Sequence, residues 1–359
     1  MSTPLRFIRQ DVQSMHAYAI QHSVGMVKLD AMENPFSLSP ALQAELGQRL
    51  GQVAINRYPG ARIDDLKAAL ASYVDLPHGH SLMLGNGSDE LISLLAMACD
   101  VPGAKILAPE PGFVMYAMSA QLQGLSYIGV PLTADFELDE VAMSRAIAQH
   151  EPAIVYLAYP NNPTATLWDA AVIERIAQAA PGLVVMDEAY QPFVDQVAGT
   201  ASLALMARQP NVLVMRTMSK FGLAGVRIGY LLGAAALVEQ IEKLRPPYNI
   251  SVLNAEAALF ALEHADVYAA QAAELRQQRE RLFQALQALP GVSPWPSQGN
   301  MILARVRDAA ATFSALKARG VLIKNVSALH PMLENCLRFT VGAPDENTRL
   351  LAELQACLP

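Results

Sequence analysis

Apolar residues in this chain come in short blocks separated by polar, glycine and proline clusters. Five blocks have strand length, at 105–108, 154–158, 183–186, 212–215 and 227–232. Apart from a leading Lys105 and Arg227 and the internal Gly229 they are apolar at consecutive positions, and each ends in proline, glycine or a polar cluster. That pattern predicts strands buried on both faces of a parallel sheet, with functional loops at their C-terminal ends. The segments between them alternate with the strands in an α/β rhythm. Ser39-Pro40 reads as a helix start, a capping serine followed by proline at the first helical position. Ser88-Asp89-Glu90 opens a second, strongly apolar helical stretch. Beyond residue 255 the pattern changes. A helix rich in Ala, Gln, Arg and Glu runs to about 288, followed by a strand at 301–306 and a helix at 310–319. Strands at 321–326 and 336–341 and a closing helix from Pro344 complete the chain. The expectation is α/β: a large domain at 51–260 with a mostly parallel sheet between helices, then a smaller α+β domain at 261–359. Residues 1–50 are expected to pack with the smaller domain.

Composition narrows the function classes. The chain has 359 residues, 52% of them hydrophobic, and a mean hydropathy of +0.22. Charges and prolines interrupt every long apolar window, so that surplus predicts a large buried core and a subunit interface, not a membrane span. The net charge is −7 with no dense Lys/Arg run, which argues against nucleic acid as a partner. Cys99, Cys336 and Cys357 are scattered, with neither metal-site nor disulfide spacing. The N-terminus has no apolar signal region. The simplest reading is a cytoplasmic protein acting on small molecules.

Five motifs carry candidate chemistry. T-M-S-K-F-G-L-A-G-V-R, at 217–227, sets a lysine after an apolar strand and an arginine behind a glycine-rich turn. An enzyme using pyridoxal 5′-phosphate needs a lysine amine to hold the cofactor covalently, and hydroxyl and guanidinium donors for its phosphate. Lys220, Ser219 and Arg227 meet those needs, although a surface lysine in a loop fits the segment alone as well. In V-V-M-D-E-A-Y, at 184–190, Asp187 ends a buried strand, where a lone carboxylate is costly without a cation. A protonated pyridine nitrogen would supply one, and Tyr190 could bond the cofactor's phenolic oxygen. The bland alternative is a helix-capping aspartate. Y-P-N-N-P-T, at 159–164, offers the Asn162 amide to the same oxygen, or is simply a turn. G-N-G-S-D-E, at 85–90, opens a helix with small residues and so can cradle a phosphate, or is an ordinary cap. P-E-P-G-F-V-M-Y, at 109–116, contributes Tyr116 to stack on the ring, or to the core. Each motif is weak singly. Their joint occurrence in this order makes the common reading much stronger than the separate ones.

With these residues in this order the chain resembles the fold-type I pyridoxal-phosphate enzymes. Within them it resembles the histidinol-phosphate aminotransferases, a group close to broad aromatic aminotransferases. The likeness runs nearly end to end, from L-D-A-M-E-N-P (29–35) and R-Y-P (57–59) to N-C-L-R-F-T-V-G (335–342). It implies a large domain with a mostly parallel seven-stranded sheet, and transamination of L-histidinol phosphate with 2-oxoglutarate in histidine biosynthesis. By the same resemblance Lys220 binds the cofactor and shuttles the proton, and Asp187 pairs with the ring nitrogen. Asn162 and Tyr190 bond the phenolic oxygen, and Tyr116 stacks on the ring. Gly87, Ser88, Asp89, Ser219 and Arg227 hold the phosphate. Tyr58 reaches the cofactor of the neighbouring subunit, which implies a homodimer. Arg338, with Asn34 and Lys324, binds the anionic substrate, and no metal is required. Three features depart from the pattern. The lysine loop is one residue short between Lys220 and Arg227. Lys324 stands where relatives often carry arginine. The N-terminal substrate tyrosine would be Tyr18, in a poorly matching segment.

Rival readings keep parts of this set. An aromatic aminotransferase or a decarboxylase of phosphorylated amino acids would use the same cofactor residues. A non-catalytic cofactor-sensing domain would usually carry a basic DNA-binding segment, which this chain lacks. A dinucleotide oxidoreductase would need a third glycine that G-N-G-S-D-E does not provide.

Overall fold

The computed structural model describes residues 3–15, 21–194 and 196–358. Tyr18 lies outside the described residues. The larger sheet has seven strands in the spatial order His80–Gly85, Gly229–Ala234, Val212–Thr217, Leu183–Asp187, Ile154–Ala158, Lys105–Glu110 and Ser126–Pro131. Six run one way, and Gly229–Ala234 runs against both of its neighbours. The expectation of a parallel strand at 227–232 is therefore corrected. Its connection, residues 218–228, contains only tight turns and no crossover helix, and a parallel return needs a dozen or more residues. His80–Gly85 and Ser126–Pro131 were not foreseen as strands.

The sheet is buried on both faces, as the unbroken apolar runs require. Every residue of Ile154–Ala158 and of Val212–Thr217 is buried. Alternate residues feed different cores: Val184, Met186, Val212 and Val214 join one cluster, while Val185, Leu213 and Met215 join the other. This is the period-two alternation of a strand covered by helices on both sides.

A second sheet is antiparallel, in the order Lys324–Asn325, Cys336–Thr340, Met301–Arg305 and Ser293–Pro294. It has its own core, in which Ile302, Leu337, Phe339 and Leu350 pack with Leu29 and Met32 from the start of the chain. Val27–Lys28 pairs in parallel with Val321–Leu322. The helix Pro40–Gly51 instead meets the helix Val252–Glu263, and Arg49 bridges Glu256 at 2.8 Å and Glu263 at 2.5 Å. Two further sequence expectations change. The helix read across 255–288 is two, Val252–Glu263 and Ala265–Gln287, with His264 outside helical geometry between them. The strand read across 321–326 is two short pieces flanking Ile323, pairing in different sheets. Among the described residues no helix is long and apolar enough to cross a membrane, and no cluster of metal-ligating side chains occurs.

Candidate active site

The C-terminal ends of the parallel strands meet the N-terminus of the helix Ser88–Ala98 around one cavity, as expected for an open α/β sheet. Asn162, Asp187, Tyr190 and Lys220 line it, and so do Ser88, Asp89, Ser219 and Arg227. Residues from four separate motifs thus converge on one space.

Asp187 is the last residue of its strand and is 4% exposed. Its Oδ2 accepts from Tyr116 Oη at 2.7 Å and its Oδ1 from the Ala189 N–H at 3.1 Å. Burial pushes its carboxyl up to about 6, against the pull of the Tyr116 and Ala189 bonds. Tyr116 and the Ala189 N–H are both neutral donors, so neither of these bonds brings a cation to the carboxylate. A protonated aromatic nitrogen fits that position chemically.

Lys220 sits in a single short turn, Ser219–Leu223, just after the strand Val212–Thr217. Its Nζ donates to the Ala31 carbonyl at 2.7 Å. Burial, aided by the Arg338 charge, pushes the amine down to about 8.

Arg227 lines one corner of the cavity, and Gly87 lies against its guanidinium. Gly87 has φ +80°, and a Cβ there would lie 2.3 Å from Arg227 Nη2. Only glycine accepts both constraints. Arg227 Nη1 reaches Ser219 Oγ at 3.4 Å, and its Nη2 lies 3.5 Å from Asp89 Oδ2. The short lysine loop does not keep Arg227 from the cavity. Through the turn Ser219–Leu223 and a left-handed Arg227, φ +57°, the chain still brings Arg227 to the cavity wall. With the free N–H groups of the Ser88 helix start, this corner has the donors a phosphate needs.

Asn162 links two further groups. Its Nδ2 donates to Tyr190 Oη at 3.0 Å, and its Oδ1 accepts from Arg338 Nη1 at 2.8 Å. Burial raises the Tyr190 hydroxyl far above its ordinary range. Arg338, 8% exposed, also donates to the Asp30 carbonyl at 2.8 Å. Lys324 is directly opposite Arg338 on the neighbouring strand, so two cations share one stretch of the small sheet.

Arg338 and Lys324 lie outside the cavity lining, Arg338 touching it through Asn162, and three further expected residues are placed differently. Tyr116 does not line the cavity. It is 1% exposed and stacks on Tyr156 at 4.3 Å with the rings 4° apart, so its ring belongs to the core and only its hydroxyl reaches the site. The aromatic that lines the cavity from this motif is Phe113, which the sequence reading missed. Its signal was the aromatic directly after the P-G turn, three residues before Tyr116. Asn34 also lies outside the lining. Its Nδ2 donates to Gln271 Oε1 at 2.9 Å and approaches the Phe221 carbonyl at 3.5 Å, so it buttresses the lysine turn. Tyr58 is 77% exposed and stacks on Tyr248 at 4.4 Å, beside an outer cleft lined by Arg49, Arg57 and Arg62. Met32 and Thr217 also line the cavity; both fall inside quoted motifs, but neither was given a role from the sequence.

The profile of the aminotransferase class I and II family matches residues 24–354. The chain belongs to that family. The aminotransferase is 66% identical to a histidinol-phosphate aminotransferase of Methylibium petroleiphilum, over 98% of this chain and 95% of the relative. It is 65% identical to one of Polaromonas naphthalenivorans, over 98% of this chain and 96% of the relative. A crystal structure of histidinol-phosphate aminotransferase from Sinorhizobium meliloti, in complex with pyridoxal-5′-phosphate, matches with a TM-score of 0.84 and 25% identity. That match covers 97% of the aminotransferase and 96% of the crystallised chain.

Proposed function

We propose that this chain transfers the amino group of L-histidinol phosphate to 2-oxoglutarate, giving imidazole-acetol phosphate and glutamate in histidine biosynthesis. Its cofactor is pyridoxal 5′-phosphate. The observation that carries the reading is the meeting of Lys220, the cation-seeking Asp187 and the Gly87–Arg227 corner in one cavity. Near-full-length identity to histidinol-phosphate aminotransferases supplies the substrate.

Bound pyridoxal phosphate supplies an aldehyde that takes up amines and a ring that withdraws electrons from the neighbouring carbon. The residues do the rest. Asp187 holds the ring nitrogen in its protonated form. Lys220 Nζ, at the cavity wall, would be the amine that holds the cofactor, and when free it would be the base that takes and returns the substrate α-proton. Its lowered pKa leaves far more neutral amine at neutral pH than an exposed lysine would have. Asn162 and Tyr190 would hold the phenolic oxygen, and Phe113 would supply an aromatic wall for the ring. Ser88, Asp89, Ser219 and Arg227 orient the phosphate. Arg338, with Lys324 opposite it, receives in turn the phosphate monoester of one substrate and the carboxylate of the other.

The active form in this reading is a cytoplasmic homodimer in which Tyr58 enters the partner's site. The exposed Tyr58, Tyr248 and Ile55 support a subunit interface there. The division into a large domain, 51–260, and a small one, 261–359, is proposed with them, and the separate core of the second sheet supports it.

Stopped-flow absorbance with L-histidinol phosphate, phenylalanine and O-phosphothreonine tests the substrate. Conversion to the pyridoxamine form fastest with histidinol phosphate is expected. Preference for phenylalanine, or release of carbon dioxide from phosphothreonine, would replace this assignment by one of its rivals.

A further inference from the structure

We infer that Glu188 and Arg216 form a positioning ion pair that sets the spacing between Asp187 and the turn carrying Ser219 and Lys220. The inference rests on the aminotransferase reading of the cavity. Leu183–Asp187 and Val212–Thr217 run parallel with Asp187 opposite Met215, so Glu188 and Arg216 come next on each strand line. Arg216 Nε donates to Glu188 Oε2 at 2.7 Å, with the side chains 6% and 1% exposed. Arg216 also bonds Tyr230 on the antiparallel neighbour, Gly229–Ala234. Three adjacent strand ends are thereby laced together at one level.

That level adjoins the site. Glu188, Arg216, Tyr230 and Tyr73 line a second, smaller cavity together with Thr217. Thr217 lines the larger cavity as well, and its Oγ1 is 3.0 Å from Ser219 Oγ. It is the partition between the charged chamber and the cofactor space. Asp187 itself bonds Tyr116 and Ala189, neither of which is on the strand leading to Lys220. The side-chain link between the two halves of the site therefore runs through the neighbouring residue, Glu188.

Stability does not account for the pair. Two charges removed from water return little over apolar residues of the same volume, whereas their bonds are directional. The pair keeps the ring-nitrogen anchor and the lysine anchor at a fixed separation, each able to hold its part of one rigid cofactor.

The test compares wild type with Arg216→Lys, which keeps the charge but not the planar fork, and with the double variant Glu188→Leu/Arg216→Met, which removes both charges. Far-ultraviolet circular dichroism reports folding. Visible circular dichroism of bound pyridoxal phosphate reports ring orientation. In the folded double variant the visible signal should change and the cofactor Kd should rise. Its kcat should drop by about tenfold to a hundredfold, with KM for histidinol phosphate within about twofold. A folded double variant with the wild-type visible signal overturns the inference, whatever its activity. If the double variant does not fold, Arg216→Lys carries the same comparison, and a wild-type signal there overturns the inference equally. Wild type that gave no visible signal with added cofactor would sink the aminotransferase reading itself, before any variant was compared.

Discussion

Burial acts in opposite directions on the two central ionisable groups, and each ends closer to its neutral form. Lys220 is pushed down to about 8 from an ordinary 10.5, and Asp187 up to about 6 from 3.8. In cofactor-free protein both shifts oppose folding at neutral pH, with separate pH windows. Between about 8 and 10.5 the unfolded lysine holds a proton that the folded one has lost, so stability should rise with pH across that window. Between 3.8 and about 6 the folded carboxyl holds a proton that the unfolded one has lost, so stability should fall as pH rises there. Thermal midpoints of the cofactor-free protein measured across both windows check this. Lys220→Met should flatten the upper slope and Asp187→Asn the lower one. In the holoenzyme, Lys220→Ala should abolish turnover and leave no borohydride-labelled peptide. Asp187→Asn should lower kcat by about a hundredfold or more, because it removes a preorganised charge at the electron sink. The placement of Lys220, Asp187, Asn162 and Tyr190 around one cavity was largely legible, from the joint occurrence of their motifs and not from any one residue. Choosing between Phe113 and Tyr116 was not. Two aromatics three residues apart are told apart only by where the helix Met115–Gln123 begins, and that start turns Tyr116 toward Tyr156.

At the scale of elements, the strand Gly229–Ala234 has the most to say about the site. A Cβ at Gly229 would lie 2.6 Å from the Gly87 carbonyl carbon and 2.7 Å from the Ser88 nitrogen. The strand therefore presses directly on the phosphate corner, and only a glycine permits the approach. Gly229→Val should push the Ser88 helix start outward. The expected result is a cofactor Kd raised about tenfold or more by equilibrium dialysis, because overpacking forces backbone shifts of the donors. An unchanged Kd would mean that the corner yields without loss of its contacts. The direction of this strand was hidden in the sequence, because a run buried on both faces reads the same either way along the sheet. The length of the connection at 218–228 held the missing information. The pairing of Val27–Lys28 with Val321–Leu322 was hidden for another reason, since two-residue strands have no periodicity to detect.

For the whole molecule, the α/β alternation and the change of pattern after residue 255 conveyed the two-sheet plan. What they could not convey is how surfaces meet. Tyr58, 77% exposed and stacked on Tyr248 of its own chain, is poised at the surface and not in its own cavity. In the homodimer reading, Tyr58→Ala and Lys220→Met chains are each inactive or weak alone. Mixed together, they should regain up to a quarter of wild-type activity per site, about the statistical share of sites with both groups intact, in an assay after exchange of subunits. No recovery, with mixed dimers verified by mass, would place Tyr58's action within one chain.

The parallel pairing near the chain start has a consequence for biogenesis. The Leu29 N–H donates to the Leu322 carbonyl at 2.7 Å, and the next residues supply Ala31, which accepts from Lys220, and Met32, which lines the cavity. During translation from the N-terminus these early residues wait for a strand made almost three hundred positions later. Every strand of the large sheet precedes Leu322 in the chain, so the wall above the lysine can be completed only after all of them have been made. A nascent chain stalled before Leu322 would hold the reactive amine with that wall unfinished.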